Sequence, residues 1–111
     1  MNYKINLKDL ILNLIKFNHR GKNKAIKRRE LLLYCRQIDP SLSDRELRRI
    51  VEELSEVCTG PKGYFMPENM KEVDETIEYL RKKALALLQR VKRIEEHYKS
   101  LFDSSQRRLF I

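Results

Sequence analysis

The sequence predicts a mainly α-helical fold, with three short helices, a small β-hairpin and one long C-terminal helix. Three observations support this prediction. Apolar residues recur at helical spacing in three segments of the N-terminal half of the chain. Two short β-prone runs then flank a loop that contains Gly60, Pro61 and Gly63. From Asn69 onward, a heptad pattern of apolar residues continues for more than four repeats.

Composition narrows the functional classes. The 111 residues have room for one domain, or for one small domain plus a long accessory helix. No stretch approaches the ~18 uncharged apolar residues that a membrane span needs. Cys35 and Cys58 are far apart, and only His19 and His97 accompany them, so we expect no metal site. We also expect a reducing, cytoplasmic location, with both cysteines in the core.

Positive charge is concentrated near the N-terminus. Lys and Arg exceed Asp and Glu by 8 over the whole chain, and residues 1–36 alone carry a net charge of +8. Such a chain attracts polyanions. The densest basic run, from Lys16 to Arg29, contains no acidic residue. It can be a solvated lysine-rich loop or, because amphipathic segments flank it, a folded surface that faces phosphates.

Apolar spacing defines the first two helices. Residues 6–17 repeat apolar side chains every three or four positions, as a half-buried helix does. Residues 28–38 predict the second helix, with Leu31, Leu32 and Cys35 inward. Between the two helices, the dipeptide 25–26 is too short to assign alone and can form a strand of a single bridge.

The third helix, at residues 43–55, has the best-defined start. Ser43 is the predicted N-cap, and Glu46, three positions later, completes a capping box. Leu42 and Leu47 flank the cap as a hydrophobic staple. The apolar stripe of this helix is expected to face the core, with arginines and glutamates on the other side.

Residues 57–66 predict a hairpin with a basic tip. Two β-prone runs, at 57–58 and 64–66, surround the loop 59–63. Three helices with a tight link between the second and the third, followed by a hairpin, is the element order of a winged helix.

Residues 69–102 predict one long helix, on the order of 45 Å in length. Asn69 is its predicted cap, and Glu72 can return a hydrogen bond to that cap. Ten of ten seam positions between Met70 and Leu101 are apolar. We expect the first half to pack on the preceding domain, with Leu85 and Leu88 widening the stripe. The second half is expected to form a homodimer. The predicted dimerisation residues are Leu80, Leu87, Val91, Ile94 and Tyr98.

Motifs for catalysis are absent. The sequence has no G-x-x-x-x-G-K, no G-x-G-x-x-G and no G-x-S-x-G. Acid pairs such as 52–53 and 95–96 lie on predicted exposed helix faces, where a solvated role is expected. We therefore predict a non-enzymatic protein that uses no cofactor and no small-molecule substrate.

The span from Gly21 to Leu80 resembles winged helix-turn-helix DNA-binding proteins of Gram-positive bacteria and their phages. The residues that carry the resemblance are 21–27 (GKNKAIK), 44–51 (DRELRRIV) and 62–65 (KGYF). The resemblance implies that helix 43–55 is the recognition helix, that 57–66 is the wing and that the partner is double-stranded DNA. On this resemblance, Arg45, Arg48 and Arg49 face the major groove, and Lys62 reaches a phosphate or the minor groove. The basic run adds four further predicted DNA-binding residues: Lys22, Lys24, Lys27 and Arg28.

The C-terminal residues resemble the Q-x-x-L-F peptide by which replication and repair proteins dock on the bacterial sliding clamp. Gln106, Leu109 and Phe110 occupy the three fixed positions. The alternative interpretation is a tail that packs Leu109 and Phe110 onto the long helix.

The predicted organisation is a winged-helix domain at 1–68, a dimerising helix at 69–102 and a flexible tail at 103–111. The leading hypothesis is a DNA-binding protein encoded by a phage or prophage, acting in transcriptional regulation or DNA replication. The rival hypothesis is a protein-interaction module or an inhibitor of a host system, which docks on the sliding clamp through the tail.

Overall fold

The computed structural model describes residues 6–102. It is mainly helical, with one small antiparallel hairpin and a long C-terminal helix, as predicted. A short 3-10 turn at Lys22–Lys24 lies between the first two helices. The elements are α1 (Leu7–Asn18), α2 (Arg28–Arg36), α3 (Asp44–Glu52), β1 (Cys58–Gly60), β2 (Gly63–Phe65) and α4 (Met70–Leu101).

Helix α1 begins directly after a side-chain cap. The Asn6 side-chain oxygen accepts hydrogen bonds from the backbone N–H groups of Lys8 and Asp9, at 3.0 and 3.4 Å. These donors have no partner inside the first turn, so the cap satisfies two N–H groups that the helix itself cannot pair. The helix then buries Ile11 and Ile15 completely, which fixes the side that faces the core.

Helix α2 ends two residues earlier than predicted. The N–H groups of Gln37 and Ile38 donate to the carbonyls of Tyr34 and Cys35, three residues back. This spacing is that of a 3-10 turn, so the chain tightens and leaves the α-helix before Pro40. The inward side chains behave as predicted, since Leu31 and Cys35 are fully buried and Leu32 is half-buried.

The start of α3 confirms the predicted capping box. Ser43 Oγ accepts from the Glu46 N–H at 3.1 Å, and the Ser43 N–H donates to Glu46 Oε1 at 3.2 Å. The end of the helix differs from the prediction of residue 55. α3 stops at Glu52, because the N–H of Leu54 donates to the carbonyl of Val51 in a tighter turn.

The hairpin pairs β1 with β2 around a two-residue turn. Cys58 is opposite Phe65, Thr59 is opposite Tyr64, and Gly60 is opposite Gly63. Ile26 adds a further antiparallel bridge to Tyr64, which confirms that the dipeptide 25–26 forms a one-bridge strand. The N–H of each residue donates to the carbonyl of the other at 2.9 Å. The segment between α1 and α2 is thereby fastened to β2.

One buried cluster holds the three short helices and the bridge together. Both cysteines are buried free thiols, as predicted, and burial raises the pKa of the Cys35 thiol. The staple residues Leu42 and Leu47 are also buried. The cluster consists of Ile11, Ile15, Ile26, Leu31, Cys35, Leu42, Leu47, Val51 and Leu54.

The first turns of α4 belong to the same compact unit, which extends to Ile77. Two buried polar residues contribute to the contact. Thr76 Oγ1 donates to the Thr59 carbonyl at 3.0 Å, and Glu72 is 7% exposed. Asn69 caps α4 as predicted, since its side-chain oxygen accepts from the Glu72 N–H at 3.0 Å.

The Glu72 carboxylate does not return a hydrogen bond to the cap residue. It accepts instead from the backbone N–H of Glu68 at 2.9 Å and from that of Lys22 at 3.1 Å. These two hydrogen bonds lower the pKa of Glu72. The reason for the difference is tertiary, because the Lys22 N–H is supplied by a residue 50 positions away. The carboxylate therefore joins the start of α4 to the 3-10 turn.

The second compact unit begins at Glu78 and contains the rest of α4. Every described residue of the helix from Leu80 to Leu101 is exposed. Leu85 and Leu88, which were expected to widen a packing stripe, are 57% and 63% exposed. The predicted contact of the first half with the domain is thus found in the first two turns, at Glu72, Glu75 and Thr76. Leu85 and Leu88 face solvent instead.

Candidate nucleic-acid interface

The loop that follows α1 is held by backbone hydrogen bonds at both ends. The Gly21 N–H donates to the Met66 carbonyl at 2.7 Å, and Ile26 pairs with Tyr64. His19 Nδ1 lies 2.8 Å from the Lys24 carbonyl oxygen and can donate to it. The exposed residues Lys24 and Lys27 therefore extend from a backbone that is fixed against the hairpin.

Lys22 also lies in this loop, but its ammonium group is paired with a carboxylate of α4. Its Nζ is 2.9 Å from Glu75 Oε2, and the hydrogen bond and the attraction of Glu75 raise the pKa of Lys22. The backbone N–H of Lys22 donates to Glu72. Among the predicted DNA-binding residues, Lys22 is thus the one that contacts α4 through both its side chain and its backbone.

A single carboxylate joins the starts of α2 and α3. Asp44 Oδ1 lies 2.9 Å from Arg28 Nε, and Asp44 Oδ2 lies 3.4 Å from Arg48 Nε. Burial raises the pKa of the neighbouring Tyr64, while the positive charge of Arg28 acts on that pKa in the opposite direction. Two of the predicted arginines are thereby brought together beside β2.

The outer side of α3 carries two further arginines. At 3.6 residues per turn, Arg45 and Arg49 project opposite the buried Leu47. Both are exposed, and neither forms an ion pair within residues 6–102. A positive charge in the first turn of a helix is opposed by the helix dipole, so the position of Arg45 is not explained by helix stability.

The hairpin turn contributes one lysine. Lys62 Nζ lies 3.3 Å from the Asn23 side-chain oxygen, which places the turn beside the 3-10 segment. Gly63 follows with a φ of 119°, where a side chain is strained. A Cβ at this position would collide with the carbonyl oxygen of Ile26. Glycine therefore permits the close approach of the turn to the loop.

The structure thus brings together residues from four segments that are distant in sequence. The loop, the start of α2, the start of α3 and the hairpin turn are joined by the contacts of Tyr64, Asp44 and Asn23. Those three residues lie in segments that resemble winged-helix proteins, but none of them is among the predicted DNA-binding residues. Asp44 and Arg48 are four positions apart on a helix, a spacing from which their ion pair can be predicted. The contacts of Asp44 with Arg28 and of Asn23 with Lys62 have no local signal.

Two other predicted groups lie elsewhere. The dimerisation residues Leu80, Leu87, Val91, Ile94 and Tyr98 are all exposed on α4, from 47% to 65%. The tail residues Gln106, Leu109 and Phe110 lie outside the described residues.

No cluster of His, Cys, Asp or Glu in the described part of the chain has the composition of a metal site. Between residues 6 and 102, no helix has the length and apolar character needed to cross a membrane. The chain matches no protein-family model, no curated protein and no solved structure.

Proposed function

We propose that this chain is a non-enzymatic winged helix-turn-helix protein that binds double-stranded DNA. The observation that carries the proposal is the junction at Asp44 and Tyr64. It sets arginines from α2 and α3 beside the hairpin that carries Lys62, so that basic side chains from separate segments share one surface. An isolated lysine-rich loop would not require such a junction.

The order of the elements supports the winged-helix assignment. Ile26 forms a one-bridge strand between α1 and α2, and it pairs with β2 of the hairpin that follows α3. A helix, a short strand, two helices and a hairpin whose second strand lies between the other two strands is the winged-helix arrangement. In it, α3 is the recognition helix and the turn at 61–62 is the tip of the wing.

Recognition of bases is assigned to the outer side of α3. The major groove admits an α-helix, and arginine binds guanine through two hydrogen bonds. Arg45 and Arg49 lie on the first two turns, the end that enters the groove in helix-turn-helix proteins. Because no acid in the described chain neutralises them, both are available for such contacts.

Binding to the DNA backbone is assigned to the loop and the wing. Lys24, Lys27 and Lys62 are exposed and belong to segments that are joined by hydrogen bonds. Contacts with phosphates fix the position of a protein on DNA without reading its sequence. Arg28 and Arg48 remain paired with Asp44, so this group of three contributes a net charge of +1.

Acidic residues at and just beyond the C-terminal end of α3 are compatible with entry of its start into the groove. Glu52, Glu53 and Glu56 would repel phosphate if they entered the groove. Glu53 Oε2 lies 3.4 Å from Lys8 Nζ, which directs that end of the helix towards α1. All three arginines of α3 lie in its first two turns, whereas these glutamates lie at or beyond its end, which supports entry of the start alone.

The resemblance of residues 21–80 to phage and Gram-positive proteins suggests the biological setting. On that basis, we extend the proposal to transcriptional regulation or DNA replication. The rival, a protein-interaction module that docks on a sliding clamp through Gln106, Leu109 and Phe110, predicts a different response to salt.

Fluorescence anisotropy of a labelled random duplex across a salt series tests the proposal. If about five phosphates are contacted, the logarithm of the binding constant should fall with the logarithm of the salt concentration with a slope near −4.5. Lys24→Ala and Lys62→Ala should each reduce that slope by about 1 on every duplex. Lys99→Ala, which removes a lysine that the proposal does not use, is the control and should leave the slope unchanged.

Sequence reading is tested on a duplex selected from genomic fragments. Arg45→Ala and Arg49→Ala should each cost about 1–3 kcal/mol on this duplex and much less on a random one. Binding that is absent, or that ignores salt, would reject the DNA hypothesis in favour of the interaction module.

A further inference from the structure

An exposed apolar seam runs along most of α4. Its members repeat every three and four residues from Ile77 to Leu101, over a length of about 36 Å. Leu87 is 65% exposed and Ile94 is 48% exposed, and the described residues between 80 and 101 are exposed without exception. A continuous apolar stripe of this length on a soluble chain is typical of an interface.

We propose that this seam is covered by a second copy of the chain, in a parallel, in-register, two-stranded coiled coil. The first reason is the choice of side chains. Ile77 and Val91 are β-branched at the first seam position of their heptads, whereas Leu80 and Leu87 occupy the second position. This combination favours two parallel strands over three or four.

The charges beside the seam favour the same arrangement. With Ile77 at heptad position a and Leu80 at position d, Arg90 is at position g and Glu95 is at position e. In a parallel, in-register pair, each g residue contacts the e residue five positions later in the partner helix. Arg90 is then opposite Glu95 of the second copy, an attractive contact that occurs twice by symmetry. Lys83 is opposite Leu88, which can cover the lysine stem. No pair of like charges arises along the seam.

An antiparallel pair that overlaps the same length has a repulsive contact at its centre. Placing Ile77 opposite Leu101 still pairs Arg81 with Glu95 twice. It also places Arg90 opposite Arg90 of the second copy, directly beside the seam. Like charges in contact are destabilising, so the parallel arrangement is the one that the charge pattern fits.

The inference concerns only α4, and it does not rest on the proposed DNA binding. Failure of the DNA-binding proposal would leave a dimer that binds no DNA, whereas failure of the dimer proposal would leave a monomer that still binds DNA.

Orientation is tested by disulfide formation in the full-length chain. With Ile94→Cys, the two new thiols face each other in the parallel pair. In the antiparallel pair they are about 15 Å apart along the axis, because residue 94 then lies opposite residue 84. Oxidation should therefore produce a covalent dimer on a non-reducing gel. Leu85→Cys, outside the seam, is the control and should form little covalent dimer. The parent chain, whose two cysteines are buried, should also form little.

Register is tested by charge reversal and sedimentation equilibrium at micromolar concentration. Glu95→Arg should weaken the dimer at least several-fold, and adding Arg90→Glu should restore it. In the antiparallel pair, the double variant would remain weak. The new arginine at 95 would face Arg81, and the new glutamate at 90 would face the same glutamate of the second helix.

Three results would overturn the inference. The first is a parent protein that sediments as a monomer. The second is a covalent dimer that forms with Ala84→Cys and Ile94→Cys together but not with Ile94→Cys alone. The third is a double charge reversal that fails to restore a dimer weakened by Glu95→Arg.

Discussion

Replacing Gly63 by alanine should release the basic loop from the hairpin. Gly63 has a φ of 119°, and a Cβ there would meet the carbonyl oxygen of Ile26 and lie 2.6 Å from its carbonyl carbon. The obstacle is backbone, so a rotamer change cannot relieve it. The segment at Ile26 must therefore move away from β2, and the pairing of Ile26 with Tyr64 must open.

The size of the effect follows from two contributions. Strain at a backbone conformation that only glycine adopts freely costs on the order of 1–3 kcal/mol. Loss of the two hydrogen bonds between Ile26 and Tyr64, each 2.9 Å long, adds about 0.5–1.5 kcal/mol per bond. We therefore expect the free energy of unfolding to fall by about 2–6 kcal/mol, a large share of the stability of a small domain.

Urea unfolding followed by circular dichroism measures this change. For a slope of about 1.5 kcal/mol per molar urea, the midpoint should fall by about 1–4 M. Gly60→Ala is a matched control, because Gly60 faces Gly63 across the hairpin and its Cβ would meet only Phe65 at 3.9 Å. The control should stay within about 1 kcal/mol of the parent. Equal midpoints for the two variants would refute the reasoning.

Two further predictions concern carboxylates. Because the pKa of Glu72 lies below its ordinary value of 4.5, its stabilising contribution is present above that pH and is lost as the pH falls through its lowered pKa. Glu72→Gln should therefore be less stable than the parent at pH 7 and should lose less further stability by pH 3 in urea unfolding; parallel losses in the two proteins would contradict this. Asp44→Asn removes the acid that neutralises Arg28 and Arg48, so it should strengthen binding to random duplex DNA several-fold and steepen the salt dependence in the anisotropy assay. Weaker binding would mean that Asp44 acts by holding the two arginines in position.

The sequence by itself determined the features that depend on neighbouring residues. A cap and its partner lie three positions apart, so Ser43 and Glu46 were readable as the start of α3. The stripe of Leu31 and Cys35 and the hairpin around Gly60 also follow from short spacings. The seam of α4 is of the same kind, because its heptad repeat lies within one helix.

Only the tertiary structure decided which charges are available and which are occupied. Lys22 and Lys27 look alike in the basic run, yet Lys22 is paired with Glu75, whereas Lys27 forms no ion pair among residues 6–102. Arg28, in the same run, is paired with Asp44. The partners are distant in sequence, and a salt bridge leaves no periodic pattern in either segment. The position of Glu72 has the same cause, since the N–H of Lys22 reaches it from 50 residues away. Local spacing encodes which residues form a helix or a strand, whereas the pairing of side chains between elements depends on how the core brings those elements together.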